Sequence, residues 1–236
     1  MTDGGARQFR RPPTAQEAVL GELRRAILER ELAPGAQILQ DRIAEQLGVS
    51  RVPVREALKM LEGEGQVSYA PHRGYFVTEL DAAELMEVYQ IREWLEAEAV
   101  TRALPFLGKD DYERMQEAVD DMEAAEEAGD IVALTAANRR FHFALIDPCS
   151  MPRLIRIIRQ LWDSTDPYRS VYFGHEQHRR TVRQEHRAIL KAVRQRDADA
   201  LIKELGEHRR HAVDSLRTIL ETESGDASAD DSSPRR

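Results

Sequence analysis

The chain has 236 residues, of which 32% are charged and 6% aromatic, with a net charge of −8 and a single cysteine, Cys149. That length suits two domains that each bury a core, and one cysteine excludes an internal disulfide and fits a reducing cytosol. No apolar run approaches the roughly 18 residues of a membrane span, and the opening MTDGGARQFRRPPT has no apolar stretch after its arginines, so neither a membrane protein nor a secretory signal peptide is expected.

In chain order, residues 1–13 read as a disordered arm. Thr14 and Glu17 form a capping-box pattern that opens a first helix, with Ala18, Leu20, Leu23, Ile27 and Leu28 as its apolar face. Pro34-Gly35 marks a loop, and a second short helix holds Ile43, Ala44 and Leu47 before a turn at Gly48. Ser50 is the expected N-cap of a third helix, although Pro53 removes one amide that it would bond.

This third segment, SRVPVREALKMLEGEG, has a basic front in Arg51 and Arg55 and an apolar back in Val54, Leu58 and Leu61. Such a helix suits insertion into a DNA groove from a small packed unit. Val67 with Tyr69, then Tyr75–Val77, read as two short strands around Ala70-Pro-His-Arg-Gly74. The expected unit, 14–79, is therefore a winged helix-turn-helix.

Beyond it only helices are expected, near 82–104, 109–128, 130–147, 151–173, 178–196 and 197–221. Gly108, Gly129, Pro148, Pro152 and Gly174 punctuate them, with helix starts at Gly129-Asp130 and Asp197-Ala-Asp199. The fold class is mainly α: a winged helix-turn-helix followed by an all-α bundle over 80–221, then a disordered tail over 222–236. Residues 1–80 carry 11 of the 34 Lys and Arg and 11 of the 42 Asp and Glu, so the whole acidic surplus lies in the helical half. DNA affinity needs a local basic face rather than a basic chain, and an acidic remainder helps to orient the molecule.

The run LAPGAQILQDRIAEQLGVSRVPVREALKMLEGEGQVSYAPHRGYFV resembles the DNA-binding domain of the GntR family of bacterial regulators. The likeness covers about 65 residues in order and departs at Gln66, where the family usually has an apolar residue. It implies that Arg51 and Arg55, four apart on one helix face, reach the major groove, where an arginine fork matches guanine O6 and N7. Arg42 would approach phosphate or base from the second helix, and His72, Arg73 and Gly74 would set the wing in the minor groove or along phosphates. Read singly, each arginine is equally a solvated charge or a partner of Glu56 or Glu62.

In the helical half, Asn138 and His142 are one turn apart, while His186 and His208 fall on the apolar faces of their own helices. Three inward imidazoles are costly unless each finds a partner, and one divalent metal would serve all three. Taken alone, each is more often a hydrogen-bonded core residue.

This half is similar to the FCD ligand-binding domain of the FadR subfamily, in its six-helix, VanR-like metal-binding type. The matching pieces are Tyr89-x-x-Arg92-x-x-x-Glu96, Asn138-x-x-x-His142, Glu185-His186, and Asp197 followed by His208. The resemblance implies a metal, zinc or else nickel, on Asn138, His142, His186 and His208, helping to hold a small carboxylate effector. Asn138 stands where the family usually has Asp, so an amide oxygen replaces a charged ligand.

Arg92 lies on the stripe Leu85, Val88, Arg92, Leu95, Ala99, either paired with Glu96 or clamping the effector carboxylate. His175 and His178 read as solvated loop, His211 as surface, and Cys149 as structural at a helix junction. The expected protein is a cytoplasmic homodimeric regulator, a repressor, which binds a short palindrome in double-stranded DNA with half-sites about one turn apart. A metal-free relative with a larger ligand such as an acyl thioester, and a metal-dependent enzyme on the bundle, are the other readings.

Overall fold

The structure, a computed structural model, describes residues 13–230, so 1–12 of the expected arm and 231–236 of the expected tail lie outside the described residues. Helices α1 (Ala15–Leu28), α2 (Gln40–Leu47) and α3 (Arg51–Gly63) come first, with strands β1 (Gln37–Ile38), β2 (Val67–Ala70) and β3 (Gly74–Val77). The capping box is present: Thr14 Oγ1 accepts from the Glu17 N–H at 3.2 Å, and Glu17 accepts from the Thr14 N–H at 2.7 Å. Ser50 sits at the N-cap of α3, yet its side chain makes no capping bond, as expected with Pro53 at the third helical position. Gly48 ends α2 at φ 63°, a left-handed conformation that lets its N–H close the turn.

Three expectations change. The sheet has three strands in the antiparallel order β1-β3-β2, with Ile38 opposite Tyr75 and Ala70 opposite Gly74. A two-residue strand has no periodicity of its own and exists only through its partner. On α1, Val19 is buried and Ala18 is exposed, because the contact with α3 selects a slightly rotated face. The expected tail is helical as far as Asp230, since adding a residue to an existing helix avoids the nucleation cost and no proline intervenes.

Six helices build the second unit: α4 (Ala82–Ala103), α5 (Lys109–Ala128), α6 (Ile131–Ile146), α7 (Pro152–Phe173), α8 (Glu176–Gln195) and α9 (Ala198–Asp230). Short 3-10 turns at Leu104–Phe106 and Asp147–Cys149 follow α4 and α6. Side chains of Asp81, Asp130 and Asp197 cap α4, α6 and α9, accepting from amides three residues on at 2.8–3.0 Å.

Two separate cores form. One joins Leu23, Ile27, Val54, Leu58 and Leu61 to Val67 and Val77; the other gathers Leu85, Phe141, Trp162, Ile189 and Leu201. Gln66 is buried beside the first core, with its N–H bonded to the Leu61 carbonyl at 2.9 Å and its carbonyl accepting from Thr78 at 2.9 Å. Helix α7 bridges the two units. Gln160 Nε2 donates to the Gly63 carbonyl at 3.2 Å, Ser164 packs beside Gly65, and the Tyr168 hydroxyl bonds the Leu80 backbone.

Candidate functional site

Helix α3 buries Val54, Ala57, Leu58 and Leu61 completely and leaves Arg51 and Arg55 in solvent. Arg51 is ion-paired with Asp41 of α2, and Arg42 is exposed on the same helix. Both partners of that pair are exposed, so it contributes little. The wing turn carries His72 at φ 64° and Gly74 at φ 90°, with the Arg73 N–H bonded to the Ala70 carbonyl at 3.0 Å. Arg73 lies over the Phe76 ring at 5.0 Å, and Gln37 Nε2 donates to its carbonyl at 2.5 Å. The six candidate residues thus lie on α2, α3 and the wing, exposed except for the half-buried Gly74.

The histidines form one cluster. His142 of α6, His186 of α8 and His208 of α9 are buried, with ring centroids 4.9–5.2 Å apart. Each offers a nitrogen within 4.8 Å of the others. An ion with bonds of about 2.1 Å closes that span with small ring movements. Both nitrogens of His186 and Nε2 of His142 are buried without a hydrogen-bond partner. Burial, then the neighbouring histidine and arginine charges, hold both imidazoles well below their usual pKa, so they are neutral and their lone pairs are available. The donor set therefore fits a metal. Asn138, one turn before His142, is fully buried and neither amide atom has a partner.

His208 is already oriented. Its Nδ1 lies 2.7 Å from Glu185 Oε2, an arrangement that leaves Nε2 for a ligand role. Burial raises the Glu185 carboxyl, but hydrogen bonds from His208 and His211 outweigh it and hold the carboxyl below its usual range.

Beside the triad is a small cavity of about 20 Å³ lined by Tyr89, Arg92, Trp162, Arg169, His142 and His208. Glu96 organises its wall, accepting from Arg92 Nε at 2.9 Å, Trp162 Nε1 at 2.7 Å and Arg209 Nη2 at 2.9 Å. Burial opposes its ionisation, yet Arg92 and Arg209 hold its pKa down at about 2. Arg92 thus lines the cavity while making the intrahelical pair with Glu96, and its Nη1 donates to Thr165 Oγ1 at 3.2 Å.

The other candidates stay outside. His178 stacks on Tyr172 at 4.5 Å and is half-buried rather than solvated, because its Nδ1 bonds the Tyr172 carbonyl at 3.0 Å. His175 is exposed at the start of α8, His211 is exposed beside Glu185, and Cys149 is buried in its 3-10 turn. The Arg92–Glu96 pair was expected, but the sharing of Glu96 with Trp162 and Arg209, the tie of Glu185 to His208 and the place of Arg169 escaped sequence reasoning. A usable signal existed for Arg169, which continues the buried 4-3-4-3 stripe Ile158, Trp162, Thr165, Arg169, Tyr172.

Residues 15–77 match the gntR family of bacterial regulatory proteins, and residues 87–211 match the FCD domain. The chain is 38% identical over 136 residues to the HTH-type transcriptional regulator McbR of Escherichia coli (strain K12), a stretch covering 58% of this chain and 62% of that relative. It is 26% identical over 201 residues to the uncharacterized HTH-type transcriptional regulator YdhC of Bacillus subtilis (strain 168), covering 85% of this chain and 90% of the relative. Among solved structures, E. coli McbR/YncC superposes with a TM-score of 0.76 at 29% identity, over 88% of this chain and 99% of that one. A putative GntR transcriptional regulator from Rhodococcus sp. RHA1 gives 0.73 at 25% identity, over 85% and 96%.

Proposed function

Because the chain belongs to the GntR family of bacterial regulatory proteins and carries an FCD domain, we propose that it is a homodimeric repressor whose operator affinity is set by a small carboxylate bound at a metal. The observation that carries this reading is the cluster of three buried histidines with nitrogens within 4.8 Å of one another, of which His142 and His186 have nitrogens without a hydrogen-bond partner.

His142, His186 and His208 would hold the ion, with the Asn138 amide oxygen as a fourth donor. Imidazole ligands suit zinc, and nickel as the alternative. The metal supplies a Lewis-acidic anchor for an anionic oxygen. Arg51 and Arg55 read base edges in the major groove of a short palindrome, Arg42 approaches from α2, and His72, Arg73 and Gly74 seat the wing.

Helix α7 supplies the link between pocket and operator. One side of it lines the cavity with Trp162 and Arg169, and its neighbouring residues Gln160 and Ser164 touch the end of α3. A cavity of about 20 Å³ admits little more than a water molecule. A carboxylate enters only if the surrounding helices move apart, and a shift of α7 acts directly on Gly63–Gly65 behind the reading helix. The effector thereby favours one arrangement of the two units over another. The same small volume disfavours an acyl thioester, and the family, whose members are regulators, sets aside the enzyme reading.

The test uses full-length protein and an operator fragment selected from random DNA, with affinity followed by fluorescence anisotropy. Simple carboxylates should shift the affinity of zinc-loaded protein and lose that effect after chelation. Operator affinity indifferent to both metal and carboxylates would refute the proposal.

A further inference from the structure

We propose that Arg169 takes the effector's carboxylate, through the edge of its guanidinium formed by Nε and Nη2. The inference rests on the metal-anchored carboxylate reading above and names the residue that receives the anion.

Three buried or nearly buried arginines surround the cavity, and two are committed. Arg92 and Arg209 share Glu96 at 2.9 Å each, and Arg92 also bonds Thr165. Arg169 is only 6% exposed, yet neither its Nε nor its Nη2 has a hydrogen-bond partner. Its nearest acid, Asp166 one turn earlier, is 3.8 Å away and also bonds Arg139 through its other oxygen at 3.2 Å. The two orphaned groups are not arbitrary. Nε–H and Nη2–H lie side by side on one edge of the guanidinium plane and match the two oxygens of a carboxylate.

The edge is also held in place. The Arg169 guanidinium lies 4.0 Å from the Trp162 ring centre, and Trp162 is itself fixed by its bond to Glu96. Stacking on an indole orients the fork before any ligand arrives. Arg169 lines the same cavity as His142 and His208, which puts the fork and two of the three histidines around one space for a guest anion. A buried cation held only by a long 3.8 Å pair with an acid that Arg139 shares, and with no hydrogen bond on that edge, is costly, and an anionic guest offsets that cost. The chemistry selects a compact carboxylate, with one group on Arg169 and an oxygen toward the metal.

The experiment compares full-length wild type with Arg169→Gln and Arg169→Lys. Zinc content is measured by elemental analysis after dialysis, and acetate, oxalate, succinate and citrate are titrated calorimetrically into zinc-loaded protein. Wild type should bind zinc and at least one of these acids. Arg169→Gln should retain zinc and lose at least about tenfold in acid affinity, the scale of a charged hydrogen bond. Arg169→Lys, which keeps the charge without the fork, should recover only part of the loss. Wild-type acid affinity in either variant overturns the proposal, as does a zinc-loaded wild type that binds none of the four. A wild type that binds no zinc but loses acid binding on Arg169→Gln would sink the metal reading and leave the role of Arg169 standing.

Discussion

Glu185 Oε2 lies 2.7 Å from His208 Nδ1 and ties the imidazole to a fixed orientation, with Nε2 left as the available nitrogen. A carboxylate behind a ligating histidine typically contributes about 10- to 100-fold in metal affinity. Glu185→Gln should therefore weaken zinc binding by about that factor in a competition with a chromogenic chelator, while the metal-free protein keeps its helical circular dichroism. Unchanged affinity would contradict the orienting role.

His186 gives a prediction of opposite sign for the metal-free protein. It is fully buried, stacked on Phe141 at 4.2 Å, and neither ring nitrogen has a partner. Replacing an unsatisfied buried polar group with an apolar one of similar shape removes a desolvation penalty of about 1–3 kcal/mol. His186→Leu should raise the melting temperature in chelator and abolish the further rise that zinc produces in wild type. A lower melting temperature in chelator would mean that the imidazole is satisfied without metal.

Glu96 should be indispensable to the fold. Removing its charge leaves Arg92 and Arg209 buried without their shared partner, and breaking such a pair costs about 3–5 kcal/mol. Its folded pKa of about 2 lies below the ordinary 4.5, so its contribution is fully present above pH 4.5 and is lost as the pH falls toward 2. Denaturant melts of wild type and Glu96→Gln should differ by that amount at pH 7 and converge on acidification. A difference independent of pH would show that the carboxylate charge is not responsible.

Arg55 is exposed on a helix whose packing side is complete without it. Arg55→Ala should leave the melting temperature unchanged while costing about 1–3 kcal/mol of specific operator binding and relaxing selectivity at one base. An unaltered mobility shift would remove it from the reading set. A uniform loss over all sequences, with a shallower salt dependence, would make it a phosphate contact instead.

Much of this protein is legible from local pattern alone. Six C-terminal helices, the Thr14–Glu17 capping box and the two-sided character of α3 follow from spacing and end residues, which act within a few positions along the chain. That His142, His186 and His208 face inward was legible from the helices that carry them, whereas Asn138 entered as the residue one turn before His142 and through the likeness to the FCD domain. Strand β1 was not, since two residues acquire a conformation only by pairing with β3.

What the tertiary structure decided is how charges are shared. Arg92 and Arg169 both lie on inward stripes of their helices, and nothing local says which of Arg92, Arg169 and Arg209 receives a given carboxylate. Packing α4, α7 and α9 together assigns one carboxylate, Glu96, to two of them and leaves the fork of the third without a hydrogen bond beside the histidines, 3.8 Å from Asp166. The same packing joins Glu185 to His208, 23 residues apart, and brings α7 against the end of α3. Periodicity determines which residues face inward, because it is a property of one helix. Which of them meet is set by the crossing of several helices, and no single stretch of the chain contains that information.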